Sequence, residues 1–417
     1  MKAVNTKSLV TPRIAFIMKS ASLLLLTLLM LFVSACAAFG STGSSSSETP
    51  QQGSTSLNPV SQTHFQHLPE GLLNQNHPVL DRVFGYKCGL AAYQVSPHNA
   101  MAVTGDGWVI PETGEVVTGS NNSCDVTGLA GIAHQYGAKA FLTLGVDASQ
   151  HTPKQLATYL QNAVNDPSLL DSIVSKAVHG HYDGVILDYE TVDGSVPGID
   201  KTFQQYCIKL REKLQAQSPA LTLGIDMIHK TSDNDPFNNL NAFENWRLLG
   251  QDGVCDFIVM MSLDEHLGKP GAGVEWSWVN AQVQYLEKTM PQALPKVIWL
   301  LPLYGSKWQE KSDGTWALID GDVSCPDAMN IPSQGVNVMS KVDDPPFLEY
   351  SYSNNGQTVH RKLWYNATAS LLNIISRLQQ AERDYLHDPT FKVPASFWYR
   401  GDECSNLDSQ LAQFYAA

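Results

Sequence analysis

The chain has 417 residues, and its 40 acidic and 27 basic side chains give a formal net charge of −13 at pH 7. An acidic surface repels polyanions, so nucleic acid and anionic lipid surfaces are excluded as expected partners. A neutral substrate fits this charge better than a polyanion does.

The first residues have the pattern of an export signal, which contributes nothing to the mature fold. Lys19 precedes an apolar run from Ala21 to Val33, and the sequence Ser34-Ala35-Cys36 follows it. This arrangement is typical of a bacterial lipoprotein signal. We therefore expect residues 1–36 to supply a lipidated Cys36, which anchors an exported protein to the cell membrane on its extracytoplasmic side. A transmembrane anchor is the alternative, but the run is short for a span. Met18 is an alternative translation start.

A segment rich in Ser, Thr, Gly and Gln follows at residues 37–60. Such a segment buries little apolar surface, so it is predicted to be a flexible linker. The remaining residues, 61–417, are many for one ordinary core but normal for a barrel with insertions. We expect one large domain there.

Short apolar runs recur along this domain, with helical patterns between them. Thr152-Pro153 and Asp166-Pro167 each place a capping side chain before a proline at the first helical position. The runs predict parallel strands covered by helices, at Val83–Tyr86, within Met101–Ile110, and at Ala140–Val146, Gly184–Tyr189, Leu221–Asp226, Phe257–Met261, Val297–Leu301 and Ala395–Tyr399. Eight strands alternating with helices predict an α/β fold, the (β/α)8 TIM barrel.

The spacing of the runs is regular except between Leu301 and Ala395. This gap contains a polar, hairpin-like sequence at Phe347–Gln357 and a helical pattern near Ala369–Arg383. It predicts a small α+β insertion between strands seven and eight, at about residues 309–392. The insertion would form one wall of a cleft.

The cysteines after Cys36 have no metal-binding spacing: Cys88, Cys124, Cys207, Cys255, Cys325 and Cys404. Outside the cytoplasm an even number permits disulfides. In a barrel, Cys88 and Cys124 lie in loops after the first two strands, and Cys325 and Cys404 lie in loops after the last two, which suggests those two pairings. Six buried thiols are the alternative. Cys207 falls on the apolar face of a predicted helix, so we interpret it as core.

Two carboxylates end the fourth predicted strand. Side chains alternate along a strand, so Ile186, Asp188 and Glu190 point the same way. Asp188 and Glu190 lie at the carboxyl end, where barrel enzymes assemble their active sites. Mutual repulsion raises one pKa of such a pair, as a general acid requires. The alternative is two solvated acids at a barrel rim.

The sequence from Asp183 to Glu190 resembles the signature of glycoside hydrolase family 18, Asp-Gly-x-Asp-x-Asp-x-Glu. Further segments resemble that family in the same order, at Lys139–Gly145, Met261–Asp264, Lys296–Trp308 and Ser396–Glu403. The match at Asp264–His266, with Pro270-Gly271 and Trp278-Val279, points to the branch of spore-germination and cortex-lysing hydrolases. The likeness extends from Arg82 to Glu403.

The resemblance implies hydrolysis of β-1,4 bonds in N-acetylglucosamine-containing polysaccharide, either peptidoglycan or chitin, with retention and substrate assistance. Glu190 would protonate the departing oxygen, and Asp188 would orient the substrate's acetamido group. Asp264 would help to position that group, and Trp398 would form the floor of the sugar site. Met261 and Tyr304 are further expected substrate contacts.

Asp183 and Gly184 are expected to have a structural role within the motif. Two positions depart from the family pattern. Ile186 replaces the middle Asp, and Leu263 stands where the family has a Tyr that donates a hydrogen bond to the acetamido carbonyl. Loss of one such donor costs on the order of a hundredfold in rate, unless the hydroxyl of Tyr304 or Ser262 substitutes.

Two functions of different classes follow. The favoured one is the hydrolase, because a protonating acid such as Glu190 has no use in a lectin. The other is a catalytically weakened barrel that binds glycan, which Leu263 favours. We expect no metal, because His151, His229 and His266 lack ligand spacing. We also expect no organic cofactor and a monomeric protein.

Overall fold

A computed structural model of the chain describes residues 64–84, 99–117, 127–233, 243–266, 268–343 and 345–417. The predicted signal with Cys36 and the predicted linker lie outside these residues. So do Tyr86, Cys88 and Cys124, and the predictions made for them stay predictions.

The strands among the described residues are β1 Val79–Phe84, β2 Ala100–Val109, β3 Val116–Val117, β4 Ala140–Gly145, β5 Gly184–Leu187, β6 Thr222–Ile228, β7 Phe257–Met261, β8 Val297–Pro302, β9 Gly305–Glu310, β10 Trp316–Val323, β11 Asn337–Asp343, β12 Pro346–Asn354, β13 Gln357–Trp364 and β14 Ala395–Trp398. The α-helices are α1 Thr127–Gln135, α2 Pro153–Asn165, α3 Asp171–His179, α4 Ile199–Gln215, α5 Trp246–Leu249, α6 Trp276–Thr289, α7 Cys325–Asn330, α8 Thr368–Leu386 and α9 Leu407–Ala416. Short 3₁₀ helices lie at Pro167–Leu170, Pro291–Lys296 and Ile331–Gln334. Within the described residues, the structure has no helix long and apolar enough to cross a membrane.

Parallel strands form a closed barrel. They follow the order β1-β14-β8-β7-β6-β5-β4-β2, and the pairing of β2 with β1 closes the ring. The short β3 runs antiparallel to the end of β2. Helices connect most of the barrel strands, because a parallel connection needs a crossover. The predicted (β/α)8 barrel is confirmed.

Alternating side chains give the barrel two cores. The inner core fills the barrel itself and includes Leu80, Phe141, Ile186, Val259 and Leu300. The outer core lies between the strands and the helices. Because apolar side chains fill the inside, polar groups at the carboxyl end rest on a packed floor.

The first strand begins earlier than the sequence predicted. It runs over Val79–Phe84, whereas the prediction began at Val83. Asp81 and Arg82 interrupt the apolar run, so the pattern concealed the strand. Both side chains are buried and paired with residues of other strands or loops. A buried charge that is paired across the fold looks like a surface residue in the sequence.

The predicted capping of two helices is confirmed. Thr152 Oγ1 accepts a hydrogen bond from Gln155 N, and Gln155 Oε1 accepts one from Thr152 N at 2.8 Å, which together make a capping box for α2. Asp166 accepts a hydrogen bond from Ser168 N at the start of a 3₁₀ helix. These side chains satisfy amide groups that have no partner inside a helix.

The insertion between β8 and β14 contains an antiparallel sheet in the order β10-β9-β13-β12-β11. Its own small core includes Val323, Leu348 and Leu363. Helix α8 follows the sheet but packs its apolar face into the outer core of the barrel. The helix that we assigned to the insertion from the sequence is therefore part of the helical layer of the barrel.

A disulfide joins Cys325 to Cys404, which are 79 residues apart in the chain. This confirms one expected pairing, and the bond ties the start of α7 to the loop after β14. Cys207 and Cys255 are buried free thiols. Cys207 belongs to the outer core, as predicted.

Candidate active site

Asp188 and Glu190 follow β5 at the carboxyl end of the barrel. Ile186, two residues earlier, lies in the inner core. Tyr189 points the other way, into the outer core, where its hydroxyl lies 2.9 Å from that of Tyr206. Because side chains alternate along extended backbone, Asp188 and Glu190 lie on the same side as Ile186, above the inner core.

The Asp188 and Glu190 carboxyl groups hydrogen-bond to each other. Asp188 is half-buried, and its Oδ1 has no hydrogen-bond partner in the part of the chain that the structure describes. Burial and the neighbouring charge of Glu190 raise the pKa of Asp188 to about 8. Burial is the larger cause, whereas only the mutual repulsion of the pair could be predicted from the sequence.

Glu190 is exposed at the open end of the barrel. Even so, partial loss of water around its carboxyl group raises its pKa, and the charges of Asp226 and Asp264 act in the same direction. Two adjacent carboxyls with raised pKa values hold one proton between them near neutral pH. That proton is available for acid catalysis.

A buried ion pair adjoins these carboxyls. Arg82 of β1 donates a hydrogen bond to Asp226 of β6, and the two side chains are only 0% and 1% exposed. Arg82 Nη1 also donates to Thr143 Oγ1 at 3.3 Å. Burial raises the pKa of Asp226 to about 7, and the Arg82 charge opposes that rise. The sequence alone indicated no role for Arg82 or Asp226. The only indication of a role in the sequence was that each of these charged residues lies in an otherwise apolar strand.

Asp264 and Tyr304 meet on the other side of the site. Tyr304 Oη donates a hydrogen bond to Asp264 Oδ1 at 2.6 Å, although 40 residues separate them. Asn366 Nδ2 donates to the Tyr304 carbonyl oxygen at 2.7 Å and holds that backbone in place. Burial raises the pKa of Asp264, and the bond from Tyr304 counteracts it. The left-handed φ of 67° at Asp264 turns the chain after β7.

Met261, Leu263 and Trp398 form an apolar floor at this end of the barrel. All three are partly buried and pack against the inner core. The Trp398 carbonyl oxygen accepts a hydrogen bond from Leu303 N at 2.7 Å, which anchors the end of β14. An aromatic ring that is partly open above a packed core can stack against the apolar face of a sugar.

Ser262 does not supply the hydroxyl that Leu263 lacks. Its side chain is fully buried, and its Oγ donates to Gln282 Oε1 at 2.7 Å, away from the floor. That suggestion from the sequence is wrong, because Ser262 points into the outer layer while Leu263 faces the inner one. Tyr304 remains beside Asp264.

Asp183 and Gly184 lie at the amino end of β5, far along the strand from Glu190. Asp183 accepts hydrogen bonds from Lys139 Nζ at 2.8 Å and from Ala140 N at 2.9 Å, which link it to β4. A Cβ atom at Gly184 would lie 2.5 Å from the Thr222 carbonyl oxygen. This contact leaves room for glycine only.

No group of three or more His, Cys, Asp or Glu side chains among the described residues is arranged to hold a metal ion.

Trp308 is buried, and its Nε1 donates to Ser306 Oγ at 3.0 Å. It therefore packs inside the protein, whereas Trp398 is open to the site.

Neither a known family model nor a curated protein matches the sequence. Solved structures do match. A chitinase from Chromobacterium violaceum has a TM-score of 0.63 at 17% identity, over 81% of this chain and 99% of that one. The chain has the chitinase fold. The spore cortex-lytic enzyme SleL of Bacillus cereus has a TM-score of 0.62 at 16% identity, over 81% of this chain and 74% of that one.

A protein that is named as a binder has this fold too. The chitinase-like agglutinin of Robinia pseudoacacia has a TM-score of 0.57 at 16% identity, over 81% of this chain and 99% of that one. Identities this low establish the fold alone. Function has to be argued from the site.

Proposed function

We propose that the chain is a retaining glycoside hydrolase that cleaves β-1,4 bonds next to N-acetylglucosamine in peptidoglycan or chitin, with assistance from the substrate. The observation that carries this proposal is the hydrogen-bonded Asp188–Glu190 pair at the carboxyl end of the barrel. Raised pKa values provide a shared proton, and the exposure of Glu190 lets a leaving group reach it.

In the first step, Glu190 donates its proton to the glycosidic oxygen as the bond from that oxygen to the anomeric carbon breaks. The acetamido oxygen of the substrate forms a bond to the same carbon, which gives a cyclic oxazolinium ion. Asp188 accepts a hydrogen bond from the acetamido N–H and, as a carboxylate, stabilises the positive charge. No carboxylate of the protein needs to bond to the sugar.

In the second step, the Glu190 carboxylate takes a proton from water while the water oxygen attacks the anomeric carbon. The bond to the acetamido oxygen breaks, and the electron pair returns to the amide. Two inversions at one carbon give net retention. Glu190 ends protonated, ready for another turnover.

The remaining groups bind the sugar. Trp398 and Met261 supply an apolar surface beneath it. Tyr304 donates a hydrogen bond to Asp264 at 2.6 Å, and in this proposal the two side chains supply a second polar contact to the acetamido group. Leu263 has no hydroxyl group, so in this proposal Tyr304 supplies the aromatic hydroxyl beside Asp264.

We also propose that the protein is exported and lipidated at Cys36, since the pattern before that cysteine supports it. The expected test is metabolic labelling with a fatty acid. The wild-type protein should carry the label and sediment with membranes, whereas Cys36→Ala should carry none. Equal labelling of both proteins would refute lipidation.

Hydrolysis by the purified protein tests the enzyme proposal. Chito-oligosaccharides and purified peptidoglycan are incubated with wild type and with Glu190→Gln, and products are separated by mass. General acid catalysis contributes about 10²–10⁴-fold, so Glu190→Gln should lose at least that factor. Glu403→Gln, which changes an acid in the loop after β14, is the matched control. Indistinguishable rates for wild type and Glu190→Gln would refute the proposed mechanism.

A glycan-binding barrel is the second candidate, and Leu263 is the observation that favours it. Leu263 packs on the apolar floor and offers no hydrogen-bond donor. Retained oligosaccharide binding by wild type and Glu190→Gln, with no turnover by either, would establish the binder.

A further inference from the structure

The Arg82–Asp226 ion pair has no place in the mechanism above, yet it adjoins the reacting carboxyls. Ile186 of β5 pairs with Gly224 of β6 in parallel register. Asp188 and Asp226 each stand two residues further along, so they lie at the same height on neighbouring backbones and face the same side. A Cβ at Gly224 would meet the Phe257 ring of the inner core, which confirms that this side faces inward.

Stability alone is a weak explanation for the ion pair. Both side chains are almost fully buried. Arg82 Nε and Asp226 Oδ2 have no hydrogen-bond partner among the described residues. Two charges that are buried with incomplete hydrogen bonding recover their desolvation cost poorly, and an apolar pair of similar volume often gives equal or greater stability.

The ion pair is oriented relative to the Asp188–Glu190 pair. The positive charge of Arg82 lowers the pKa of Asp188 and so favours its ionised form. The negative charge of Asp226 raises the pKa of Glu190 and so favours its protonated form. Asp226 and Asp188 also repel each other, and the positive charge of Arg82 opposes that repulsion at Asp188. Asp264, from the loop after β7, acts on Glu190 in the same direction as Asp226. Within the part of the chain that the structure describes, Glu244, before α5, and Tyr304, after β8, also interact with Glu190.

Burial opposes this arrangement. It raises the pKa of Asp188 to about 8, so the shared proton of the free site rests preferentially on Asp188. The proposed reaction, however, needs the proton on Glu190 and a negative charge on Asp188. Some group has to reduce the free energy of that transfer. Ile186, beneath Asp188, is apolar and cannot contribute.

We propose that Arg82 and Asp226 are positioning residues, a buried and oriented ion pair that draws the shared proton from Asp188 towards Glu190. The substrate completes the transfer when its acetamido N–H binds the Asp188 carboxylate. The catalytic use of this ion pair rests on the proposed function. Its electrostatic effect on the two carboxyl groups, however, is a property of the protein alone.

The test is a carboxyl ¹³C NMR titration of the full chain labelled at Asp and Glu, with signals assigned from Asp188→Asn and Glu190→Gln. The main variant is the double change Arg82→Met and Asp226→Asn, which leaves no unpaired buried charge. We expect Glu190 to titrate at lower pH than in wild type, and Asp188 to titrate at higher pH than in Asp226→Asn alone, because that comparison isolates the loss of the Arg82 charge. Arg82→Lys, which keeps the cation beside an intact Asp226, should leave both midpoints near their wild-type values. Asp226→Asn alone should lower the midpoint of Glu190.

Turnover provides a second measurement. In the double variant, kcat should fall about tenfold for each pH unit by which the two midpoints separate, while KM stays within about threefold. A merely structural role would alter the melting temperature and leave the carboxyl midpoints unchanged. Unchanged or reversed midpoints in a folded double variant would overturn the inference. If wild type hydrolyses nothing, the proposed function fails, and the titration alone decides the inference.

Discussion

The hydrogen bond from Tyr304 to Asp264 yields the sharpest prediction about the site. Tyr304→Phe removes one hydroxyl and leaves the ring in place. Asp264 then loses the donor that now lies 2.6 Å from its Oδ1. A hydrogen bond to a charged group contributes about 1.5–3 kcal/mol, which corresponds to a loss of about 10–150-fold if the interaction acts in the transition state.

The same change should alter the pH dependence. Burial raises the pKa of Asp264 and the bond from Tyr304 lowers it, so removal of the hydroxyl raises it further. Activity that needs the Asp264 carboxylate is present above this pKa and is lost as the pH falls through it. The acid limb of kcat/KM should therefore move to higher pH in Tyr304→Phe.

The assay is kcat/KM on a defined chito-oligosaccharide between about pH 4 and pH 9, a range that spans ordinary carboxyl and histidine titration. Tyr285→Phe is the matched control, because Tyr285 Oη donates to Asp233 Oδ1 at 2.7 Å on an exposed carboxylate. Its profile should match wild type. A loss below twofold in Tyr304→Phe, with an unmoved acid limb, would refute the assigned role of this bond.

Three further changes test the fold and the floor of the site. Replacing Cys325 and Cys404 together by alanine opens a link across 79 residues, so the free energy of unfolding should fall by about 4 kcal/mol in denaturant titration; a loss below 1 kcal/mol would contradict the chain-entropy argument. Gly184→Ala places a Cβ 2.5 Å from the Thr222 carbonyl oxygen, so the free energy of unfolding should fall by about 1–3 kcal/mol in the same titration. The control is Gly131→Ala, at an open position of α1, which should be neutral or slightly stabilising. Leu263→Tyr adds a donor at the floor and should raise kcat, by up to about a hundredfold; unchanged turnover with intact folding would show that Tyr304 already fills this role.

Local pattern was enough to predict much of the barrel. Apolar runs alternating with helical patterns identified eight strands, and Thr152 marked the start of α2. The alternation of side chains also predicted Asp188 and Glu190 on one side of their strand. These features depend on neighbours within a few residues, so the sequence carries them directly.

Features that depend on distant partners could be decided only by the tertiary structure. Arg82 and Asp226 look like interruptions of apolar strands until the closed barrel brings β1 and β6 within reach of each other. Tyr304 and Asp264 meet because the loops after β7 and β8 end on the same rim. The same holds for α8, which packs on the barrel beyond the insertion that precedes it. Burial and distance set the strength of a charge, so the sequence named the acids while the fold determined how they share a proton.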